Sequence, residues 1–153
     1  MDLDRYDRAI LDVLGRDGRI AVTELAKEIG LSKSPTQVRL KRLEAEGVIT
    51  GYRALMDPIL LGLDHVAFVE VKLSDTREKA LSAFNQAVLE IPEIEQAHMI
   101  ASSFDYLLKV RTQDMNAYRR ILGEKISTLP HVASTSTYVA MQAVKELSLG
   151  DVI

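Results

Sequence analysis

At 153 residues the chain is near the usual size of one domain or of two small ones. Hydrophobic residues make up 47% and charged residues 27%, as in ordinary globular proteins, and the net charge is −3. The absence of cysteine excludes disulfides, thiolate metal sites and a cysteine nucleophile, and no apolar run approaches the ~20 residues that cross a membrane. The first residues, "MDLDRYDRAI", alternate acids and bases and do not read as a signal peptide, so a reducing cytoplasm is the expected location. Aromatic residues are scarce at 5%, which leaves Leu, Ile, Val and Ala to build the core. Cores this small often gain stability by pairing with another chain.

The first third reads as three helices. "LDRYDRAILDVLGRDG" sets Leu3, Ala9, Ile10, Val13 and Leu14 at helical spacing, and Gly15 and Gly18 mark its end. "TELAKEIG" is a short helix with Thr23 before its first turn, an apolar face of Leu25, Ala26 and Ile29, and Gly30 where a left-handed cap belongs. In "SPTQ", Ser34 suits an N-cap, Pro35 the first helical position and Gln37 the third, a capping box that opens a helix running to about Glu46. Gly47 stops it. "VITGYRALMDP" is β-rich and reads as a strand ending at a domain boundary near Asp57 and Pro58.

The period then changes. "HVAFVEVKL" alternates as a strand does. "TREKALSAFNQAVLEIP" puts Ala80, Leu81, Phe84, Ala87, Val88 and Ile91 on one side of a helix. "IEQAHMIA" and "FDYLLKVRT" are strands parted by Ser102 and Ser103. "DMNAYRRILGEKISTLP" is a helix capped by Asp114 and ended by Pro130, and "VASTSTYVAM" is a last strand. The order βαββαβ is the ferredoxin-like arrangement. The fold expected is therefore α+β. It has a winged helix-turn-helix domain over 1–50, a linker strand and hinge over 51–62, and a ferredoxin-like domain over 63–153.

Charge is unevenly spread. Residues 1–53 hold ten Lys+Arg and nine Asp+Glu (+1), leaving nine against thirteen (−4) for the rest, which returns the total of −3. Between Lys33 and Arg42 stand Lys33, Arg39, Lys41 and Arg42 with no acid among them. Two short helices joined by "GLSK" make a helix-turn-helix, whose second helix enters the major groove. Thr36, Leu40 and Leu43 would face inward. Ser34, Pro35, Val38, Lys41 and Arg42 would face outward, with Gln37 and Arg39 on the flanks. Double-stranded DNA can be held by such a patch despite the negative total, because affinity follows the phosphates neutralised locally. The plainer alternative is a solvated face on a core helix.

"GRIAVTELAKEIGLSKSPTQVRLKRLEAEGVITGY" resembles the DNA-binding half of the Lrp/AsnC family of prokaryotic transcription regulators. "FDYLLKVRTQDMNAYRRILGEKISTLPHV" and "TYVAMQAVKE" resemble its effector-binding, oligomerising half, nearest to the leucine-responsive branch. The resemblance implies a DNA-binding regulator that is not an enzyme, with a helix-turn-helix over about 22–41. It implies dimers formed through the sheets and joined into larger assemblies, in the cytoplasm and on the nucleoid. It also implies a small-molecule effector, commonly an amino acid, and no other cofactor. Carried over, DNA contact falls to Lys33, Ser34, Pro35, Thr36, Gln37, Val38, Arg39, Lys41 and Arg42. The effector pocket falls to Met99, Ala101, Ser102, Ser103, Asp105, Met115, Tyr138, Val139 and Ala140. Two departures stand out. Ser102 and Ser103 occupy the place of the family's usual Gly-Asp pair, removing a flexible turn and a carboxylate, so the effector differs or is absent. Lys33, Ser34 and Pro35 replace its frequent Pro-Thr-Pro.

Other groups read more plainly. His65, His98 and His131 lack metal-ligand spacing. Asp105 suits a ligand's amino group or a strand turn equally. Glu93 and Glu95 read as surface, Ser102 and Ser103 lack a base, and Tyr118, Arg119 and Arg120 read as exposed charge that could also meet wrapped DNA. An architectural DNA-wrapping protein with little sequence preference would share all these motifs.

Overall fold

In the computed structural model, which describes residues 1–146, Asp4 caps the first helix, α1 (Arg5–Arg16). Its carboxylate accepts from the Tyr6 and Asp7 amides at 2.9 Å each, and Asp7 accepts from the Asp4 amide at 3.1 Å. This reciprocal box satisfies donors that a helix start leaves orphaned. α2 (Val22–Ile29) begins two residues earlier than Thr23 as its cap implies, on Ala21, with no side-chain cap. Its end is as the sequence suggests: Gly30 is left-handed (φ 76°), and the Leu31 amide returns to the Ala26 carbonyl at 3.0 Å. A Cβ on Gly30 would meet nothing within 4 Å, so the cost of Gly30→Ala is conformational alone. Urea denaturation is expected to show a loss of about 1 kcal/mol.

The third helix, α3 (Lys33–Ala45), starts one residue before Ser34, with Ser32 as N-cap and no capping box. Thr36 explains the shift. It is fully buried, and its hydroxyl donates to the Ser32 carbonyl at 2.9 Å, which fixes the cap at Ser32, two residues before Ser34. Pro35 still fits, because the amide it lacks at the third position has no intrahelical partner in any case. Ile10, Val13, Leu25 and Leu43 form the core of the three helices. Beyond α3 the Val48 and Ile49 amides donate to the Leu43 carbonyl, and the Tyr52 hydroxyl donates to Glu44 at 2.8 Å. Burial and that carboxylate push the Tyr52 phenol up to about 12.

Residues 48–58, read as a strand, pair with no strand among the described residues. β-Rich composition supplies the propensity, but a strand needs a partner edge. The chain divides into two compact units near this point, between Leu55 and Met56. The last seven residues assigned to the ferredoxin-like domain, 147–153, lie outside those described.

The second unit has the expected order: β1 (His65–Leu73), α4 (Glu78–Leu89), β2 (Ile94–Met99), β3 (Tyr106–Thr112), α5 (Met115–Ile121) and β4 (Val132–Val139). The sheet runs β2-β3-β1-β4 with every neighbouring pair antiparallel. Alternate residues Ala67, Val69 and Val71 of β1 and Tyr106, Leu108 and Val110 of β3 pack against Phe84 and Val88 of α4 and Tyr118 of α5. The Phe84 and Tyr106 rings lie 4.3 Å apart.

Asp114 caps α5 as expected, accepting from the Ala117 amide at 2.7 Å. The helix then changes to a π turn over Leu122–Ile126. In an unbroken α-helix Ile126 would stand about 80° round from Tyr118, at ~100° per residue. The extra residue of a π turn brings it back to within about 20°, so that both side chains are buried. Tyr118 is thus a core residue and not part of an exposed basic run, although Arg119 and Arg120 are exposed.

Candidate nucleic-acid interface and ligand region

On α3 the buried stripe is Thr36 and Leu43, with Arg39 and Leu40 half-buried between them. The opposite ridge is Ser34, Val38, Lys41 and Ala45, all exposed, with Lys33 and Gln37 exposed beside it. Ser34 and Ala45 are small, so Val38 and Lys41 project furthest. No acidic side chain lies on this helix before Glu44.

The two arginines behave differently from the lysines. Arg39 donates to Asp4 at 2.7 Å and to Asp7 at 3.0 Å, and Arg42 donates to Asp7 at 2.6 Å. The Arg39 guanidinium also lies 5.3 Å from the centre of the Tyr6 ring. Asp7 is 1% exposed, while the Arg39 and Arg42 side chains are 26% and 42% exposed. Hydrogen bonds from the Asp7 amide and Arg39 hold the Asp4 carboxyl below the usual range, against some desolvation. The acids of the α1 cap therefore tie α3 to α1 through half of its positive charge. Sequence reasoning missed this. The pairs span 32 to 35 residues, and the one local sign was a carboxylate at the third helical position of α1.

The residues assigned to the effector form two groups in the second unit. Met99, Ala101, Ser102, Ser103 and Asp105 lie at the β2–β3 turn, which the Ile100 amide closes onto the Asp105 carbonyl at 2.9 Å. Ser102 and Ser103 both have negative φ, so this turn forms without glycine. The Asp105 carboxylate accepts from the Leu73 amide at 2.7 Å, beside the irregularity at Lys72 and Leu73, and so serves the strand end. Met115, Tyr138, Val139 and Ala140 lie at the other end of the sheet. The Asp105 amide bonds to the Val71 carbonyl, whereas the Ala140 amide bonds to that of Val66. Five residues of β1 separate these points, about 16 Å at ~3.3 Å per residue. One chain does not bring the two groups together.

Neither of the principal clefts includes an expected effector residue. A shallow one of about 510 Å³ is lined by Asp75, Arg77, Lys79, Ala80, Ala83 and His131. There the Arg77 guanidinium holds the Asp75 carboxyl down to about 2. The other, about 250 Å³, is lined by Leu63, Pro92, Glu93, Glu95 and Arg111. Glu93 and Glu95 are more than solvated surface: Lys125 binds Glu93 at 3.0 Å, and Lys109 and Arg111 bind Glu95 at 3.0 and 2.8 Å. Burial raises both carboxyls, but these cations outweigh it and the net shift is downward. Among the described residues no group of three or more His, Asp and Glu is placed to hold a metal.

Residues 3–50, which contain the three helices, match the winged helix-turn-helix DNA-binding model. Residues 66–149 match the Lrp/AsnC ligand-binding domain, more than half of the chain. The chain belongs to the Lrp/AsnC family. This Lrp/AsnC protein is a DNA-binding transcription regulator with a ligand-binding domain, and its α+β fold is that of its relatives. A proline dehydrogenase transcriptional activator of Rhizobium radiobacter is 62% identical over 148 residues, 97% of this chain and 95% of that one. The leucine-responsive regulatory protein of Escherichia coli K12 is 47% identical over 145 residues, 95% and 88% of the two chains. Among solved structures, an AsnC family regulator from Agrobacterium tumefaciens superposes with a TM-score of 0.90 at 32% identity, covering 95% of each chain. A Neisseria meningitidis regulator in complex with L-Met gives 0.90 at 30% identity, covering 96% of this chain and 95% of that one. These relatives are named as regulators and not as enzymes.

Proposed function

We propose that this Lrp/AsnC protein binds operator DNA sequence-specifically through the outer ridge of α3 and that an amino acid modulates it through the second unit. The observation that carries the reading is that ridge: exposed, free of acids, bearing Lys41 with Lys33 and Gln37 beside it, on a helix whose start has no side-chain cap over its amide groups. Amides and lysines suit phosphates, and Gln37 suits an adenine edge. Lys33 and Lys41 can meet phosphate without sharing a partner on α1, whereas Arg39 and Arg42 divide their donors between Asp7 and any phosphate they meet. Ser34, Pro35 and Val38 line the approach, and buried Thr36 acts by fixing the helix start.

A dimer supplies two such helices, and pseudo-palindromic half-sites about one helical turn apart follow from its two-fold axis. The sheet face opposite α4 and α5 suits that pairing, with Phe68 and Tyr138 side by side and exposed. Further association would place the β2–β3 turn of one chain beside Met115 and the β4 end of another, which gives the separated effector groups one pocket. Tetramers or octamers and residence on the nucleoid belong to the same reading. The 62% relative points to control of a proline dehydrogenase gene, and the L-Met complex of the 30% relative supports an amino-acid effector.

Footprinting on the DNA upstream of the protein's own gene and of a proline dehydrogenase gene tests this, with each of the twenty amino acids. Paired protections about one helical turn apart, shifted by proline, leucine, methionine or another single amino acid, are expected. Equal protection of scrambled DNA would instead favour an architectural wrapping role.

A further inference from the structure

Val38 is 69% exposed at the centre of the outer ridge of α3, with Ser34 one turn before it and Lys41 and Arg42 one turn after. Single exposed apolar residues are common on protein surfaces. This one occupies the part of the helix that approaches DNA most closely. There a side chain without donor or acceptor can bond neither to a phosphate nor to a base edge. The major groove offers one apolar feature, the C5-methyl group of thymine.

We infer that Val38 reads a thymine methyl in each half-site, which makes it a specificity-determining residue; the inference rests on the DNA-binding reading above. The side chain suits the task. A β-branched residue in a helix is held in one χ1 rotamer, so its methyls stand fixed before DNA arrives and little freedom is lost on contact. Ser34 and Ala45, the small residues at the two ends of the ridge, let the helix lie deep enough for a short side chain to reach a base. Gln37, the preceding residue, is placed to reach an adenine of the same or the next base pair, so an A·T step is expected beneath this turn.

The test is fluorescence-anisotropy titration of the full chain on its footprinted operator, with each thymine replaced in turn by deoxyuridine, which lacks only the methyl. One position per half-site is expected to weaken binding about fourfold, the equivalent of ~0.8 kcal/mol for one buried methyl, and about 15-fold when both half-sites are changed. Val38→Ala, which alters both protomers of the dimer, is expected to lose about 15-fold on thymine DNA and to be indifferent to deoxyuridine at that position. Val38 is exposed, so this variant keeps its fold, and circular dichroism confirms that before titration. Wild-type binding unchanged within twofold by every replacement would overturn the inference while leaving the DNA-binding reading intact. A Val38→Ala protein that still senses the methyl would overturn it too. No binding to any DNA would instead remove the reading on which it rests.

Discussion

Asp7→Ala is expected to lower the stability of the N-terminal unit by about 2–3 kcal/mol, read from urea denaturation of the full chain. A surface ion pair is worth at most ~1 kcal/mol, and breaking a fully buried one costs ~3–5 kcal/mol. Asp7 lies between these cases. Its carboxylate is buried and fully satisfied by Arg39, Arg42 and the Asp4 amide, but both arginines keep an exposed side that water can solvate once the acid is gone. The substitution also removes one arm of the α1 capping box. A loss below ~1 kcal/mol would mean that the apolar core alone joins α1 to α3. The same variant releases two guanidinium groups beside the ridge proposed to meet DNA, so its binding to scrambled DNA is expected to strengthen even as the fold weakens.

Lys41→Glu is expected to reduce operator affinity at least 100-fold near 0.1 M salt, with little effect on stability. Lys41 is exposed on α3, and it holds no hydrogen-bond or ion-pair partner among the described residues. Removing one lysine from its phosphate costs about tenfold at that salt concentration, and a dimer gives up two such pairings. Two new carboxylates near phosphate add repulsion. Gel shift or anisotropy on the operator reads the change, and a fall of less than tenfold would place Lys41 away from the DNA.

Much of the fold was legible because its signals are local. Gly30 ends α2, Asp114 caps α5, and Ala80, Phe84 and Val88 mark one buried stripe on α4, with buried Ile91 just beyond its end, each readable within a turn or two of sequence. What escaped reading depends on distant partners. Ser34 and Pro35 satisfy every rule for a helix start, yet the helix begins two residues earlier because Thr36 is buried and bonds to the Ser32 carbonyl. The π turn after Ile121 answers to the burial of Ile126 beside a sheet that sequence periodicity does not contain. Residues 48–58 carry strand propensity but pair with no strand among the described residues. On α3 the basic character was plain, but its division was not. Two lysines face outward while two arginines are held by acids more than thirty residues away. The residues assigned to an effector gave the weakest local signal, since they lie at opposite ends of one sheet and, in the proposed reading, would share a pocket only between chains.

The most direct test is the salt dependence of operator binding for the wild type and for the Lys33→Gln/Lys41→Gln variant. A wild-type log–log slope of about −5 to −7 is expected for six to eight phosphate contacts. The variant should be shallower by about 3 to 4, since a dimer loses four lysines at ~0.9 each. Equal slopes for the two proteins would contradict the assignment of the outer ridge of α3 as the surface that holds DNA.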